Sequence, residues 1–516
     1  MLRRTLSLLA LVAGTRAASQ VPQLLTDPPV VPREFRAAWM TPMWDRGFKD
    51  WPSALGMTPE AQRAELRTML DRAAALGLNA VILHVRLAGD ALYPTRYAPW
   101  SVMLSGTSGV GPQPAYDPLA FAVAEAHARG LQLHAWFNPF RAVLPNIPGK
   151  LASTHVTKQH PDWIRKYGTQ TWIDPGNPDA RKFVLESMLD VVRRYDVDGV
   201  HIDDYFYPYR ESRTITRRVR RRRVRERVEI QFPDDRTWRR YGKAKGWTDR
   251  DAWRRSNIDD FVQSLYKGVK AIRPTAVVGI SPFGIWRSGT PRGVTGLDAF
   301  TEIYADSKRW LAEGWLDYVA PQLYWQINGA EDRFRALDAW WRSEDPQGRY
   351  VWPALYTSHV YGNGDSWPTS EIGAQIAAIR ASRAGTSDVP GHIHFRLAAL
   401  LADNGRLGQS LASEYSERAL VPAFPWLGGV APGSPEVAVV NSEGPASVVV
   451  SAGDSVPVRW WLIQSRSRDG KWSSALRPAM PGQPMTESFG AADPDEVAVT
   501  AIGASGVAST PTIVAP

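Results

Sequence analysis

The chain of 516 residues contains no cysteine. That absence excludes disulfides, thiolate metal sites and cysteine nucleophiles, and leaves no thiol for a lipid anchor behind an N-terminal leader. No apolar run approaches the ~20 residues that cross a bilayer as a helix, so no transmembrane segment is expected. Signature loops are missing as well. No Gly-x-Gly-x-x-Gly follows the first apolar run, and Gly-x-x-x-x-Gly-Lys and Gly-x-Ser-x-Gly are absent, so dinucleotide, nucleotide and serine-nucleophile enzymes lack support. His-x-x-x-His and His-Glu-x-x-His are absent too. His84, His134 and His201 fall singly near strand ends, where hydrogen-bonded barrel histidines are commoner than metal ligands.

What is present is a globular composition, 44% apolar, 22% charged and 10% aromatic, which rules out a disordered, collagen-like or coiled-coil chain. The 22 tryptophans exceed what a core of this size accommodates. Exposed indoles stack on flat ligands such as sugar rings, so several are expected in a surface cleft. The net charge is +9, but residues 210–227 hold ten arginines against two glutamates and so carry eight of those nine charges. The basicity is thus one local insertion. It has two readings: a solvated, disordered block, or a surface that holds anionic glycans or other envelope polyanions. Nucleic acid is not an expected partner of an exported chain.

Export itself is expected from residues 1–19, which read as a secretory signal: Arg3 and Arg4, an apolar run at 6–13, then Ala17, Ala18 and Ser19. A Pro-rich linker at 20–32 follows. From 33 to 426 the chain repeats a strand, a loop and a capped helix. Thr58-Pro59, Asp117-Pro118 and Asn177-Pro178 each place a side-chain oxygen at the N-cap and proline at the first helical position. Gly77 and Gly130 are the expected stops of the first two helices. Apolar runs at 35–40, 80–85, 131–137, 200–203, 277–281, 318–323, 350–355 and 393–397 fit strands buried on both faces. Eight such units predict an α/β fold, a (βα)8 TIM barrel, with a doubly wound open sheet as the alternative. After a second linker at 427–434, residues 435–516 show alternating strands at 436–440, 447–450, 456–463 and 497–502, with a turn at Gly470 into another. They predict a small β-sandwich of fibronectin type III or immunoglobulin type.

In such a barrel the chemistry sits at the C-terminal strand ends. Candidates there are Arg86 and Asp90, Asn138 and Arg141, then Asp203, Asp204 and Tyr205, and finally Gln322, Tyr324 and Trp325. Carboxylates and aromatics at one rim fit glycoside hydrolysis, which needs an acid for the leaving oxygen and a carboxylate for the anomeric carbon. Alternation along the fourth strand puts His201, Asp203 and Tyr205 on one face and Asp204 on the other, unless the strand has ended by then. The structural alternative for either acid is a salt bridge to an arginine such as Arg86. No cofactor is required.

Several segments in order resemble the bacterial glycosyl hydrolase-like family 10, exported barrel proteins of the envelope distinct from the family 10 xylanases. They are Arg33-Glu34-Phe35-Arg36-Ala37-Ala38-Trp39, Arg86 with Gly89-Asp90-Ala91-Leu92-Tyr93, His134-Ala135-Trp136-Phe137-Asn138-Pro139, Asp198 to Pro208, Tyr304-Ala305-Asp306-Ser307 and Ala320-Pro321-Gln322-Leu323-Tyr324-Trp325. The resemblance implies a glycoside hydrolase acting on peptidoglycan glycan strands, preferentially those stripped of stem peptides. Trp136, His201 and Tyr207 complete the candidate sugar-holding set. The fourth-strand segment is also similar to the Asp-Gly-x-Asp-x-Asp-x-Glu pattern of chitinase-type barrels, with Asp198 and Asp203 in the first and third acidic places. His201 and Tyr205 replace the second acid and the catalytic glutamate. Either Asp203 or Asp204 has taken over, or the acid comes from another loop, with Asp306 the next carboxylate to test. Arg396 stands where a small polar residue is common, and would narrow a subsite or pair with one of the acids.

The resulting expectation is an exported enzyme of the periplasm, envelope or exterior, not lipid-anchored, with a polysaccharide as partner and no specified oligomeric state. A glycan-binding envelope protein and a hydrolase of another exopolysaccharide are the alternatives.

Overall fold

The computed structural model describes residues 26–516 apart from 147–148, 220–221, 330–331, 363–364, 403–405, 441–444 and 491–493. The expected leader at 1–19 lies outside the described residues. The apolar runs form one parallel sheet of nine segments. In bonded order these are Tyr350–Val351, Tyr318–Val319, Val277–Ile280, Gly199–Ile202, Gln132–Phe137, Ala80–Arg86, Phe35–Met40, Gly391–His394 and Ala354–Leu355. The two ends of that order are separated in the chain by Trp352 and Pro353 alone, so the sheet curls until one broken stretch borders both edges. Proline has no N–H for the ladder, which is why the run at 350–355 divides into two short strands.

Alternation sorts the side chains. Phe35, Ala37, Trp39, Ala80, Ile82, Trp136 and Tyr318 fill the inside of the curled sheet, while Ala38, Met40, Val81, Leu83, Leu133 and Val200 face the surrounding helices. The capping chemistry holds. Thr58 accepts from Ala61 N, Asp117 from Leu119 N and Ala120 N, and Asn177 from Asp179 N and Ala180 N, each with proline in the first turn. The inside of the sheet has no spare room at Gly279, where an added methyl carbon would stand 1.9 Å from the Tyr318 ring. That ring carries the hydroxyl shared by His134 Nδ1 at 3.0 Å and His201 Nδ1 at 2.9 Å.

The C-terminal residues form two antiparallel sheets, one of three strands and one of four. Val448, Val450, Trp461, Ile463, Val497 and Val499 from both sheets make their common core. Two strands, Met485–Ser488 and Thr512–Val514, were not anticipated; both are short edge strands. This unit packs beneath the parallel sheet, at the N-terminal ends of its strands. Arg459 reaches Asp198 at 2.7 Å, and Asp198 also meets His127 at 2.8 Å and accepts Leu133 N. Asp198, the first acid of the chitinase-like pattern, is therefore at the end opposite the rim. Burial works to raise its carboxyl, but Arg459 and His127 overcome that and hold it well below the usual carboxylate range.

Gly279→Ala should destabilise the fold by about 1–3 kcal/mol or more through overpacking against Tyr318. An unchanged denaturation midpoint would contradict that packing. Arg459→Ala leaves Asp198 buried without its cation, which should cost ~3–5 kcal/mol. A carboxyl whose folded pKa is depressed contributes stability above its unfolded pKa and loses it as pH falls through the folded value. The melting temperatures of wild type and variant should therefore differ most near neutrality and converge in acid; a gap independent of pH would contradict the pairing.

Candidate active site

The fourth parallel strand stops at Ile202, one residue before the first acid. The chain then turns: Asp203 Oδ1 accepts Tyr205 N at 3.4 Å, and Phe206 N donates to the Asp204 carbonyl at 3.0 Å. Strand alternation no longer applies beyond Ile202, and both carboxyl groups open into the same cavity. It occupies about 290 Å³ at the C-terminal ends of the strands, the end opposite the β-domain.

Each acid is held by groups from other strand ends. Asn138, following the third strand, donates its Nδ2 to Asp203 Oδ2 at 2.6 Å. Tyr209 donates its hydroxyl to Asp204 Oδ2. Burial, then the charge of Asp204, push the Asp203 carboxyl up to about 8 against the pull of Arg141. Burial also raises Asp204, opposed by donation from Tyr209 and Gln322 and by the charge of Arg141. Two adjacent buried carboxylates cannot both ionise cheaply, so the pair retains a proton at neutral pH. The charge of Arg141 opposes the rise of both acids. Its guanidinium lies over the Tyr205 ring, 3.9 Å from the centroid, and forms no ion pair with either acid among the described residues.

Around the acids the lining is aromatic, with polar edges. Trp136 stacks on His84 at 3.7 Å, Trp39 lies edge-on to Phe395 at 5.8 Å, and Tyr324 stacks on Tyr356 at 4.6 Å. Trp44, 68% exposed, stands at the rim as a free indole face. Trp39 Nε1 and Ser281 Oγ are buried without hydrogen-bond partners among the described residues. Trp136 lies near enough to Asp203 to favour its ionised form, and Asn138 near enough to His84 to favour its charged form, while Trp136 Nε1 and His84 Nε2 are left without a hydrogen-bond partner among the described residues. Burial keeps His84 well below the usual imidazole range and therefore neutral. Polar groups without partners on an aromatic floor suit a ligand rich in hydroxyl and amide groups.

Eight of the sequence candidates line the cavity: Trp136, Asn138, Arg141, Asp203, Asp204, Tyr205, Gln322 and Tyr324. Six lie elsewhere. Arg86 is buried behind the third strand, donating to the carbonyls of Asn138 and Pro139 at 3.1 Å each, so it shapes the backbone that carries Asn138. Asp90 belongs to a small separate cleft beside His155. His201 is inside the curled sheet on Tyr318, and Tyr207 is buried between Phe232 and Tyr304. Trp325 packs edge-on to Phe283. Asp306 caps the helix Ser307–Ala312, accepting from Trp286 Nε1 at 3.0 Å. Residues that sequence reasoning passed over are Tyr209 and Asp50. Arg396 does pair with an acid, but with Asp50 at 2.6 Å, not with Asp203 or Asp204. It also donates to the carbonyls of Thr41 and Met43, fastening the first rim loop to the eighth strand.

The chain matches the family model described as glycosyl hydrolase-like 10 over residues 34–351. It is 36% identical over 421 residues to glycosyl hydrolase YngK of Bacillus subtilis (strain 168), covering 80% of this chain and 78% of that protein. It is 36% identical over 312 residues to glycosyl hydrolase DigH of Escherichia coli (strain K12), covering 57% of this chain and 66% of that protein. Among solved structures, the PgaB (BpsB) glycoside hydrolase domain from Bordetella bronchiseptica aligns with a TM-score of 0.45 at 17% identity, over 76% of this chain and all of that one. The family match spans more than half of the residues, and the protein belongs to the glycosyl hydrolase-like 10 family.

Proposed function

We propose that the protein is an exported glycoside hydrolase that cleaves β-linked amino-sugar strands of peptidoglycan, favouring strands stripped of stem peptides. The observation that carries the reading is the pair of buried carboxyl groups, Asp203 and Asp204, sharing one aromatic-lined cavity in which burial and their mutual repulsion raise Asp203. The substrate rests on the sequence resemblance, and relatives named as glycosyl hydrolases support the reaction class. On this reading the curled sheet is a (βα)8 barrel spanning residues 33–426, and the C-terminal unit at 435–516 is a fibronectin type III or immunoglobulin-like sandwich.

Asp203 is the acid. It gives its proton to the bridging oxygen as the bond from that oxygen to the anomeric carbon breaks. Asp204, whose rise on burial is opposed by donation from Tyr209, acts as the carboxylate that faces the positive charge developing on the sugar ring. Water completes the cleavage at the anomeric carbon, and the proton it sheds restores the acid. Trp39, Trp136, Tyr324 and the exposed Trp44 hold sugar faces, while Asn138 keeps Asp203 oriented.

Digestion of purified glycan strands, with and without stem peptides, followed by mass spectrometry should show new saccharide ends from the stripped strands. Asp203→Asn and Asp204→Asn should each lower kcat by about 10²–10⁴. Retained binding with no cleavage by wild type would make this a glycan-binding protein instead. The pH profile of kcat/KM should be a bell. Activity is lost on the basic side as the raised Asp203 carboxyl ionises, and on the acidic side as Asp204 is protonated. Tyr209→Phe removes a donor that favours the ionised form of Asp204, so the acidic limb should move to higher pH. An unmoved limb would remove Tyr209 from this role.

A further inference from the structure

The arginine-rich stretch forms a two-stranded ribbon that follows closely in the chain after the cavity-lining Tyr209. Strands Ser212–Val219 and Arg222–Glu229 pair antiparallel, from Ser212↔Glu229 to Val219↔Arg222. Residues opposite each other share a face. One face therefore carries Ser212, Thr214, Thr216, Arg223, Arg225, Arg227 and Glu229; the other carries Arg213, Ile215, Val224 and Val228 with the Arg217–Glu226 ion pair at 2.9 Å. On the first face Arg223 and Arg225 are exposed and form no ion pair among the described residues, and Arg227 donates only to Ser212 Oγ. Alternate residues of a strand lie ~7 Å apart, within the ~8 Å Debye length at physiological salt. The three guanidinium groups thus repel one another until an anion is laid across them.

The base of the ribbon is clamped to the rim. Arg210 pairs with Glu229 at 3.0 Å, Glu211 N donates to the Tyr167 hydroxyl at 3.0 Å, and that hydroxyl donates to the Ile230 carbonyl at 2.9 Å. One residue before Arg210 stands Tyr209, whose hydroxyl holds Asp204. Ribbon and cavity are consecutive parts of one segment. Neither strand contains an aromatic residue, so the stacking platform that accompanies single-stranded nucleic acid binding is missing. Nor does the arginine face carry the large apolar side chains of an interfacial lipid anchor. Threonine hydroxyls facing guanidinium groups suit carboxylated sugars.

We propose that this ribbon is a docking arm for a polyanionic glycan, drawing a carboxylate-bearing strand toward the cavity. The proposal rests on the hydrolase reading above for its substrate, and its test separates the two. The probes are glycan strands stripped of stem peptides and the same strands with their carboxyl groups amidated. The variant is R223Q/R225Q/R227Q. Its KM for the anionic strands should rise about tenfold at low salt with kcat unchanged, the difference shrinking as salt screens the arm. On amidated strands the two proteins should behave alike. Binding of labelled strands to the Asp203→Asn protein, with and without the arginines, supplies a readout free of turnover. Arginine-dependent, salt-sensitive binding without cleavage by wild type would keep the arm and overturn the hydrolase. Equal binding and equal KM in the presence and absence of the arginines would overturn the arm, as would tighter arginine-dependent binding to single-stranded DNA or to phosphatidylglycerol vesicles.

Discussion

Placing Asp203 and Asp204 side by side in a cavity removes the hydration of two carboxyl groups and adds their mutual repulsion. A chain gains nothing in stability from that arrangement. It persists because groups from several strand ends converge on it: Asn138 and Arg141 after the third strand, Gln322 after the sixth, and Tyr209 from the loop of the acids themselves. Convergence of this kind requires a parallel sheet curled far enough that distant strands share one mouth, which is what the inner packing of Phe35, Trp39, Trp136 and Tyr318 provides.

Two acids five residues apart show how environment divides labour. Asp198 lies below the strand with Arg459 and His127 against it, so it is held ionised and ties the β-domain to the sheet. Asp203 lies above the same strand, buried with a second carboxyl beside it and with Arg141 placed over a tyrosine ring, so its carboxyl is raised. The same residue type is thus driven in opposite directions, its carboxyl lowered at one end of the strand and raised at the other. Arg396 and Asp50, both fully buried, complete the frame by fixing the rim loop that carries Trp44 and Asp45.

Hydrophobic runs and N-cap chemistry made most of the strands and the first helices legible in the sequence, because period and capping are local properties. The loops beyond the strand ends carry no such period. Asp203 and Asp204 were legible as a pair, but their common orientation depends on the strand stopping at Ile202, which depends on the neighbours with which it pairs. Arg86, Asp90, Tyr207 and Asp306 sit in motifs near the rim yet point into packing or capping roles, since only the folded loops decide direction. The Asp50–Arg396 pair joins residues 346 positions apart, and no local signal announces it. The arginine run read equally well as disorder or surface until its cross-strand register brought Arg223, Arg225 and Arg227 to one face.

The central claim is that Asp203 holds a proton that Asp204 does not. Difference infrared spectroscopy of the carboxyl C=O stretch addresses it directly, comparing wild type with Asp203→Asn at neutral pH. A band from a buried protonated carboxyl that is present in wild type and lost in the variant is the expected result. A wild-type spectrum without that band, or one that loses it only in Asp204→Asn, would contradict the assignment.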